Sequence, residues 1–367
     1  MNKYRNIAIV ILMSVTIFGL SFWNFVKETD DFSESERRVL AVLPELSIET
    51  ILNGKFMGNF EEYAMDQFPM RDMFRGIKSA SVLGAFFQLD NNDLYMENGY
   101  ISKMEYPLSE KMLDYASERF QFIYDSYIAG SDAKVYLSVI PDKNSFLATE
   151  SDRLALDYEK LMSYMQEKNS YMSYIDIKEL LSLEDYYRTD THWRQEMIQD
   201  VAAKIAGEMG VTLEEEYTIE TLDYPFYGVY YGQLALPVKP DSIQYIMNDT
   251  LENCVVTYLD TGMPVEGSIY DMEKAYGKDS YEMYLSGATA LTTIENPNAS
   301  TDKELIVFRD SFGGSLVPYL VEGYQKITLV DIRYIDSKML GMFLDVTNQD
   351  VLFLYSTILL NNSLGLK

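Results

Sequence analysis

The sequence predicts an α/β protein with a mostly parallel sheet covered on both faces, preceded by an N-terminal transmembrane helix. Three observations carry this. Residues 7–26 contain no charge, about the 20 residues that a helix needs to cross a bilayer. Between residues 111 and 177, helical and extended patterns alternate, the order that builds parallel strands joined by crossover helices. Later strands are expected at 305–308, 327–330 and 351–355.

Composition bounds the rest. A chain of 367 residues, less its N-terminal segment, is long enough for one large domain or two small ones. Its 47% hydrophobic content excludes compositional disorder. A net charge of −27 makes nucleic acid and anionic membrane surfaces poor partners for the soluble part, except through local basic spots.

Taken in order, Lys3 and Arg5 stand before the uncharged run, and Glu28, Asp30 and Asp31 follow it. This charge order puts the N-terminus inside and the body outside the cytoplasm. A cleaved signal peptide is the alternative, but the apolar run is long and no small-x-small site follows. Residues 1–28 are therefore read as a cytoplasmic stub and single-pass anchor in the cell membrane. Export permits disulfides, yet Cys254 is the sole cysteine, so none forms within the chain; it reads as a small buried apolar residue. Residues 29–57, of mixed charge with Pro44, read as a tether, and 58–367 as the body.

Within the body, short helices broken at Pro69 are expected over 58–87, and turn residues around 92–101 predict a hairpin. Met112, Tyr115, Ala116, Phe120, Ile123 and Tyr127 mark a helical face over 111–128. A β-branched and aromatic run at 134–140 ends at Pro141 as a buried strand. Residues 154–168 return to helical spacing and 171–177 to an extended pattern. Met197, Ile198, Val201, Ala202 and Ile205 then predict a helix starting near Trp193 and ending at Gly210. The interval 223–300, rich in Tyr, Asn and Gly, reads as an insertion or a meander.

His192 is the only histidine, and Asp190 stands two positions before it. A serine hydroxyl is a weak nucleophile at neutral pH, and needs a base within hydrogen-bond reach and an acid behind that base. Asp190 and His192 fit the acid and base roles. Ser311 is the best candidate hydroxyl: it follows the apolar strand at 305–308, and Gly313-Gly314 allows close approach of backbone and substrate. The backbone N–H groups of Ser311 and Phe312 are candidate oxyanion donors. The competing readings are a structural histidine and a helix-capping Asp-Ser pair. One His and one Cys argue against a transition-metal catalyst, and no cofactor is expected.

Further candidates are positional. Lys143 and Asn144 follow a strand end, where open α/β sheets place ligand groups; the alternative is a solvated loop. Arg333 and Tyr334 also follow a strand and are candidates for the same cleft. Tyr224, Phe226, Tyr227, Tyr230 and Tyr231 form the densest aromatic cluster, which is either a substrate groove, Tyr230 and Tyr231 foremost, or core.

Several stretches together resemble the DHHW family of exported bacterial proteins, which are similar to alginate O-acetylation proteins of the SGNH-hydrolase-like superfamily. They are Arg38-Val39-Leu40 with Pro44, Phe60-Glu61-Glu62-Tyr63 leading to Asp66-Gln67-Phe68-Pro69-Met70-Arg71, Val139-Ile140-Pro141-Asp142-Lys143, Thr189-Asp190-Thr191-His192-Trp193, Asp310-Ser311-Phe312 with Pro318, and Asp331-Ile332-Arg333-Tyr334. The resemblance implies a three-layer SGNH-like α/β domain with a permuted catalytic order, the Asp-x-His pair preceding the serine. It implies Ser311 as nucleophile, His192 as general base and Asp190 as its orienter, acting through an acetyl-serine on a cell-surface or secreted polysaccharide. The reaction is acetyl transfer or ester hydrolysis. The implied acetyl donor is a membrane-bound O-acyltransferase, which a shared membrane keeps at high effective concentration. Two departures stand out: Thr191 occupies the first place of the usual His-His pair, and Arg309 stands where relatives often carry a small residue near the oxyanion site. The second functional class is a catalytically silent glycan-binding or scaffold protein of polysaccharide assembly.

Overall fold

The computed structural model describes residues 2–33, 35–151, 153–213, 216–259 and 263–367. They form two compact units, Met1–Asn92 with Tyr231–Pro237, and Asp93–Tyr230 with Val238–Lys367.

The first unit opens with the helix Asn2–Val26, long and apolar enough to cross a membrane. The Thr16 and Ser21 hydroxyls donate to the carbonyls of Leu12 and Ile17, one turn back, at 2.9 and 2.8 Å. Such bonds satisfy polar side chains where no water reaches them. Two short strands follow, β1 (Phe32–Ser33) and β2 (Arg38–Val39), paired antiparallel. Helices Lys55–Asp66 and Arg71–Ser79 flank Pro69, the break expected of a residue without a backbone donor. At this break Gln67 holds Asp30 by both its N–H and its carbonyl, at 2.9 and 2.8 Å. The Asp66 carboxylate takes the Arg38 guanidinium and, at 2.8 Å, the Ala41 N–H. Asp30, Arg38 and Ala41 are thereby pinned to the helix end.

The second unit is built on one sheet. In chain order its strands and neighbouring hairpins are β3 (Leu94–Glu97), β4 (Tyr100–Lys103), β5 (Lys134–Ile140), β6 (Ser173–Tyr174), β7 (Thr218–Phe226), β8 (Asp241–Met247), β9 (Val255–Tyr258), β10 (Val265–Gly267), β11 (Leu291–Glu295), β12 (Glu304–Arg309), β13 (Lys326–Val330) and β14 (Asp350–Ser356). The main sheet runs β10-β9-β11-β13-β12-β14-β5-β6. From β13 to β6 every pairing is parallel, whereas β11, β9 and β10 continue the sheet antiparallel. The interval 223–300 supplies that antiparallel edge, and β8 of the separate β7–β8 ladder.

Alternation along β14 shows why both faces are covered. Leu352 and Leu354 point into the core shared with helices Gln199–Glu208 and Phe312–Leu320. Val351, Phe353 and Tyr355 point into the core shared with Glu110–Ile123 and Tyr158–Lys168. The result is the helix–sheet–helix layering that the sequence predicts, with a mostly parallel sheet. Phe353 stacks on Phe308 at 4.6 Å and meets Phe120 at 5.0 Å, tying the central strands to the covering helix.

Three boundaries differ from expectation. The helix expected from Trp193 starts at Gln199, because Trp193 instead pairs with Tyr186 in a bridge. The helix expected from residue 154 starts at Tyr158, where the Asp157 side chain accepts the Lys160 N–H at 3.0 Å. Of the extended pattern at 171–177, only Ser173–Tyr174 pairs with β5.

Candidate active site

Ser311 sits two residues beyond β12 and immediately before the helix Phe312–Leu320. Its backbone is helical and its side chain caps nothing, which frees the hydroxyl for tertiary contact. The hydroxyl lies 2.7 Å from His192 Nε2. On the far side of the ring, Nδ1 is 2.6 Å from Asp190 Oδ1, which also accepts the His192 N–H at 3.1 Å. With the Nδ1 proton held by a buried carboxylate, Nε2 is left to accept from the serine.

The turn carrying Asp190 and His192 has no regular ladder, so side chains hold it. The Asp241 carboxylate accepts the N–H groups of Arg188 and Thr189 at 3.0 and 2.8 Å, and the Thr189 hydroxyl at 2.6 Å. From below, Lys143 Nζ donates to the carbonyls of Tyr187, Arg188 and Asp190 at 2.8, 3.3 and 2.5 Å. Burial pushes the Lys143 ammonium down to about 7, against the pull of Asp190, Asp241 and Asp142. Val229 N–H closes on Asp190 Oδ2 at 2.8 Å. Gly228 makes this approach possible: a Cβ there would stand 2.3 Å from the Asp190 Cβ.

Aromatic rings also hold the imidazole. Tyr281 stacks on it at 3.8 Å and 7°, and Phe312 meets it at 4.9 Å. The Tyr281 hydroxyl and the Trp193 indole N–H converge on Ser315 Oγ, at 2.9 and 2.8 Å. Ser315 lies on the helix that Ser311 begins, so base and hydroxyl are braced by one network.

Two cavities open beside Ser311. One, of about 220 Å³, is lined among others by His192, Tyr281, Arg309, Arg333 and Tyr334. The other, of about 160 Å³, is lined by Thr191, Phe312, Arg333 and Leu359. Arg333 borders both. Its Nε and Nη2 bond Asp331 at 2.9 and 2.6 Å, which fixes the direction of the guanidinium.

Other residues singled out from the sequence serve differently from expectation. Lys143 and Asn144 are buried and are not solvated or cleft-lining groups: Lys143 holds the Asp190 turn, and Asn144 Oδ1 accepts the Tyr95 hydroxyl at 2.7 Å. Tyr230 is buried too, with its hydroxyl on Thr191 at 3.1 Å, and Tyr231 belongs to the other unit. The Phe312 N–H, expected to face an oxyanion, donates to Asp310 Oδ1 at 3.0 Å; the same carboxylate takes the Ser356 N–H at 2.8 Å. Arg309 is buried, and its Nη2 donates to the Gly287 carbonyl at 3.1 Å. Gly313 gives room to Arg309 and not to a ligand, since a Cβ there would lie 2.8 Å from the Arg309 Cβ. Tyr281, Asp241 and Gly228 are the residues the sequence reading missed; they come from segments 38 to 89 positions from the groups they serve, and nothing in their local pattern marks them.

The DHHW protein family matches residues 123–330. A DHHW family protein from Eubacterium siraeum superposes with a TM-score of 0.61 at 21% identity, over 75% of this chain and 95% of that one. PatB1 of Bacillus cereus, in a structure holding a sulfonyl adduct, superposes with a TM-score of 0.60 at 19% identity, over 74% of this chain and 97% of its own. No protein with a curated description matches the chain. The family match covers more than half of the chain and takes in the Asp190–His192 turn, β12 and Ser311, and the chain belongs to the DHHW family.

Proposed function

We propose that this protein is a membrane-anchored, extracytoplasmic O-acetyltransferase or acetylesterase that acts on a cell-surface or secreted polysaccharide. The observation that carries the reading is the continuous line from Asp190 Oδ1 to His192 Nδ1 and from Nε2 to Ser311 Oγ, at 2.6 and 2.7 Å, opening on two cavities. The resemblance to DHHW and alginate O-acetylation proteins supplies the acetyl group and the polysaccharide. The apolar helix Asn2–Val26 supplies the anchor.

In this reading Ser311 Oγ attacks an acetyl carbonyl while His192 Nε2 takes the hydroxyl proton. The imidazolium formed is balanced by Asp190, which stays ionised. His192 then hands the proton to the departing alkoxide, leaving acetyl-Ser311. A sugar hydroxyl or water, deprotonated by His192, attacks this ester and restores the serine. Arg333 and Tyr334, on the cavity wall, are the groups to hold the carbohydrate. The donor side is met by a membrane-bound O-acyltransferase in the same bilayer, whose proximity raises the effective concentration of the acyl group.

The test is turnover of a fluorogenic acetyl ester by the full chain, alongside S311A. Wild-type turnover that S311A loses, with one acetyl group added to the wild type in intact mass, supports the chemistry. A second reading, a catalytically silent glycan-binding or scaffold protein, is favoured by one observation: the Phe312 amide is spent on Asp310. Equal background rates and no acetyl adduct would establish that reading instead.

A further inference from the structure

The first unit leaves a band of apolar side chains uncovered. Leu46, Ile48 and Leu52 are 71%, 79% and 82% exposed. The helix Ile48–Leu52 buries no residue, and Lys55–Asp66 buries only Asp66. Ile48, Ile51 and Leu52 share a helix face by their spacing, and Met57 and Phe60 do the same on the next helix, with both exposed. Apolar residues scattered singly over a surface need no cover, but a run of them along two successive helices does.

The position of this band in the chain names its cover. Val26 ends the membrane-length helix. Lys27 pairs with Asp30 at 2.6 Å, and Gln67 grips Asp30 by both backbone groups. The C-terminal end of Lys55–Asp66 is therefore tied four residues beyond the span, within about 14 Å of its end along the chain. The helix itself extends about 18 Å, so its far end stays within about 32 Å of the end of the span and can lie along the bilayer surface. Phe22, Trp23 and Phe25, exposed at the end of the span, suit the headgroup level.

We propose that residues 42–65 lie in the headgroup–acyl boundary of the bilayer that Asn2–Val26 crosses, with the apolar side chains of the two helices in lipid. The inference rests on the anchored reading above. Glu49, Glu61 and Glu62 are exposed in the same segment, so the contact is apolar and suits zwitterionic lipid, not attraction to anionic headgroups.

The test uses the full chain in phosphatidylcholine nanodiscs on a C254S background. A polarity-sensitive fluorophore is placed by V15C, L52C, M57C or E252C, and quenching is measured with lipids spin-labelled high on the acyl chain and, for the mid-span residue 15, near the chain end. All four positions allow a label without disturbing packed side chains. The expected result is blue-shifted emission with several-fold quenching at residues 15, 52 and 57, none at 252, and no change on adding salt. Quenching at 15 alone overturns the interfacial placement while keeping the anchor. Quenching at none of the four overturns both. A blue shift at 52 and 57 without lipid quenching means that protein covers the band, and also overturns the proposal.

Discussion

Replacing Gly228 by alanine is the sharpest perturbation of the site, because it changes no polar group and acts on Asp190 by contact alone. The added methyl would lie 2.3 Å from the Asp190 Cβ, and 2.4 Å from both the Asp190 Cα and the Thr189 carbonyl oxygen. Carbon atoms rest about 3.5–4.0 Å apart, so the two segments must separate by more than about 1 Å. Asp190 cannot follow freely, since its Oδ2 is held by Val229 N–H beside the new methyl. A displacement of that size stretches the 2.6 Å contact with His192 Nδ1 past hydrogen-bond range. Misplacement by about 1 Å costs about 100-fold, and complete loss of the orienting carboxylate costs about 10,000-fold. G228A should fall between these limits in kcat for a small acetyl ester, with KM little changed. Overpacking should lower stability by about 1–3 kcal/mol, leaving a folded protein by circular dichroism. Labelling of Ser311 by a sulfonyl fluoride, followed by intact mass, should slow in step with kcat. A folded G228A with wild-type turnover and labelling would refute the claim that the 228–190 contact sets the base.

Other expectations concern the support around it. K143M leaves the carbonyls of Tyr187, Arg188 and Asp190 without their buried donor, at a cost of at least about 3 kcal/mol; K143R should not restore it, because a planar fork cannot replace a point donor, and a melting temperature equal to wild type would contradict this. Burial pushes the Asp142 carboxyl up to about 6, above about 4 in the unfolded chain, so the folded state holds the extra proton and loses stability as pH rises between about 4 and 6. D142N should therefore gain on wild type by up to about 3 kcal/mol across that window in urea titrations, and parallel curves would count against the buried carboxyl. Y281F keeps the ring stacked on His192 and should turn over nearly as wild type, whereas Y281A should lose about tenfold in kcat; equal rates for both variants would dismiss the stack. Burial pushes the Cys254 thiol up to about 11, so iodoacetamide should label the native protein slowly at neutral pH, and labelling as fast as in the denatured chain would show the thiol open.

Much of the second unit was legible because its strands are uniform. The run 134–140 is mostly β-branched or aromatic and becomes β5 over the same residues. Strands at 305–308, 327–330 and 351–355 fall inside β12, β13 and β14. Pattern fails at Trp193: it looks like the start of an apolar helix face, yet its indole is spent on Ser315, and its neighbours His192 and Arg194 bond Tyr187 and Asp185 across a bridge. The pairing of His192 with Ser311 was expected because only one imidazole exists to pair. Lys143 was misread because a cation after a strand is usually solvated, and nothing local shows three carbonyls converging on it. Asp241, Gly228 and Tyr281 are long-range partners brought in by β8 and the loops around it, and no period in the sequence encodes such an encounter.

The stacking of Tyr281 on His192, with Phe312 tilted against the same ring, has a kinetic meaning. Stacked on one face, met by Phe312 and tied at one edge, the ring is held against pivoting between an inward and an outward pose. In the proposed reaction, any alcohol that is to give up or receive a proton must travel to Nε2, the nitrogen that faces Ser311, in the plane already laid down. If the protein has the function proposed above, whether acetyl ends on carbohydrate or is released as acetate is a contest of residence at a single spot, settled by which hydroxyl stays longest beside it.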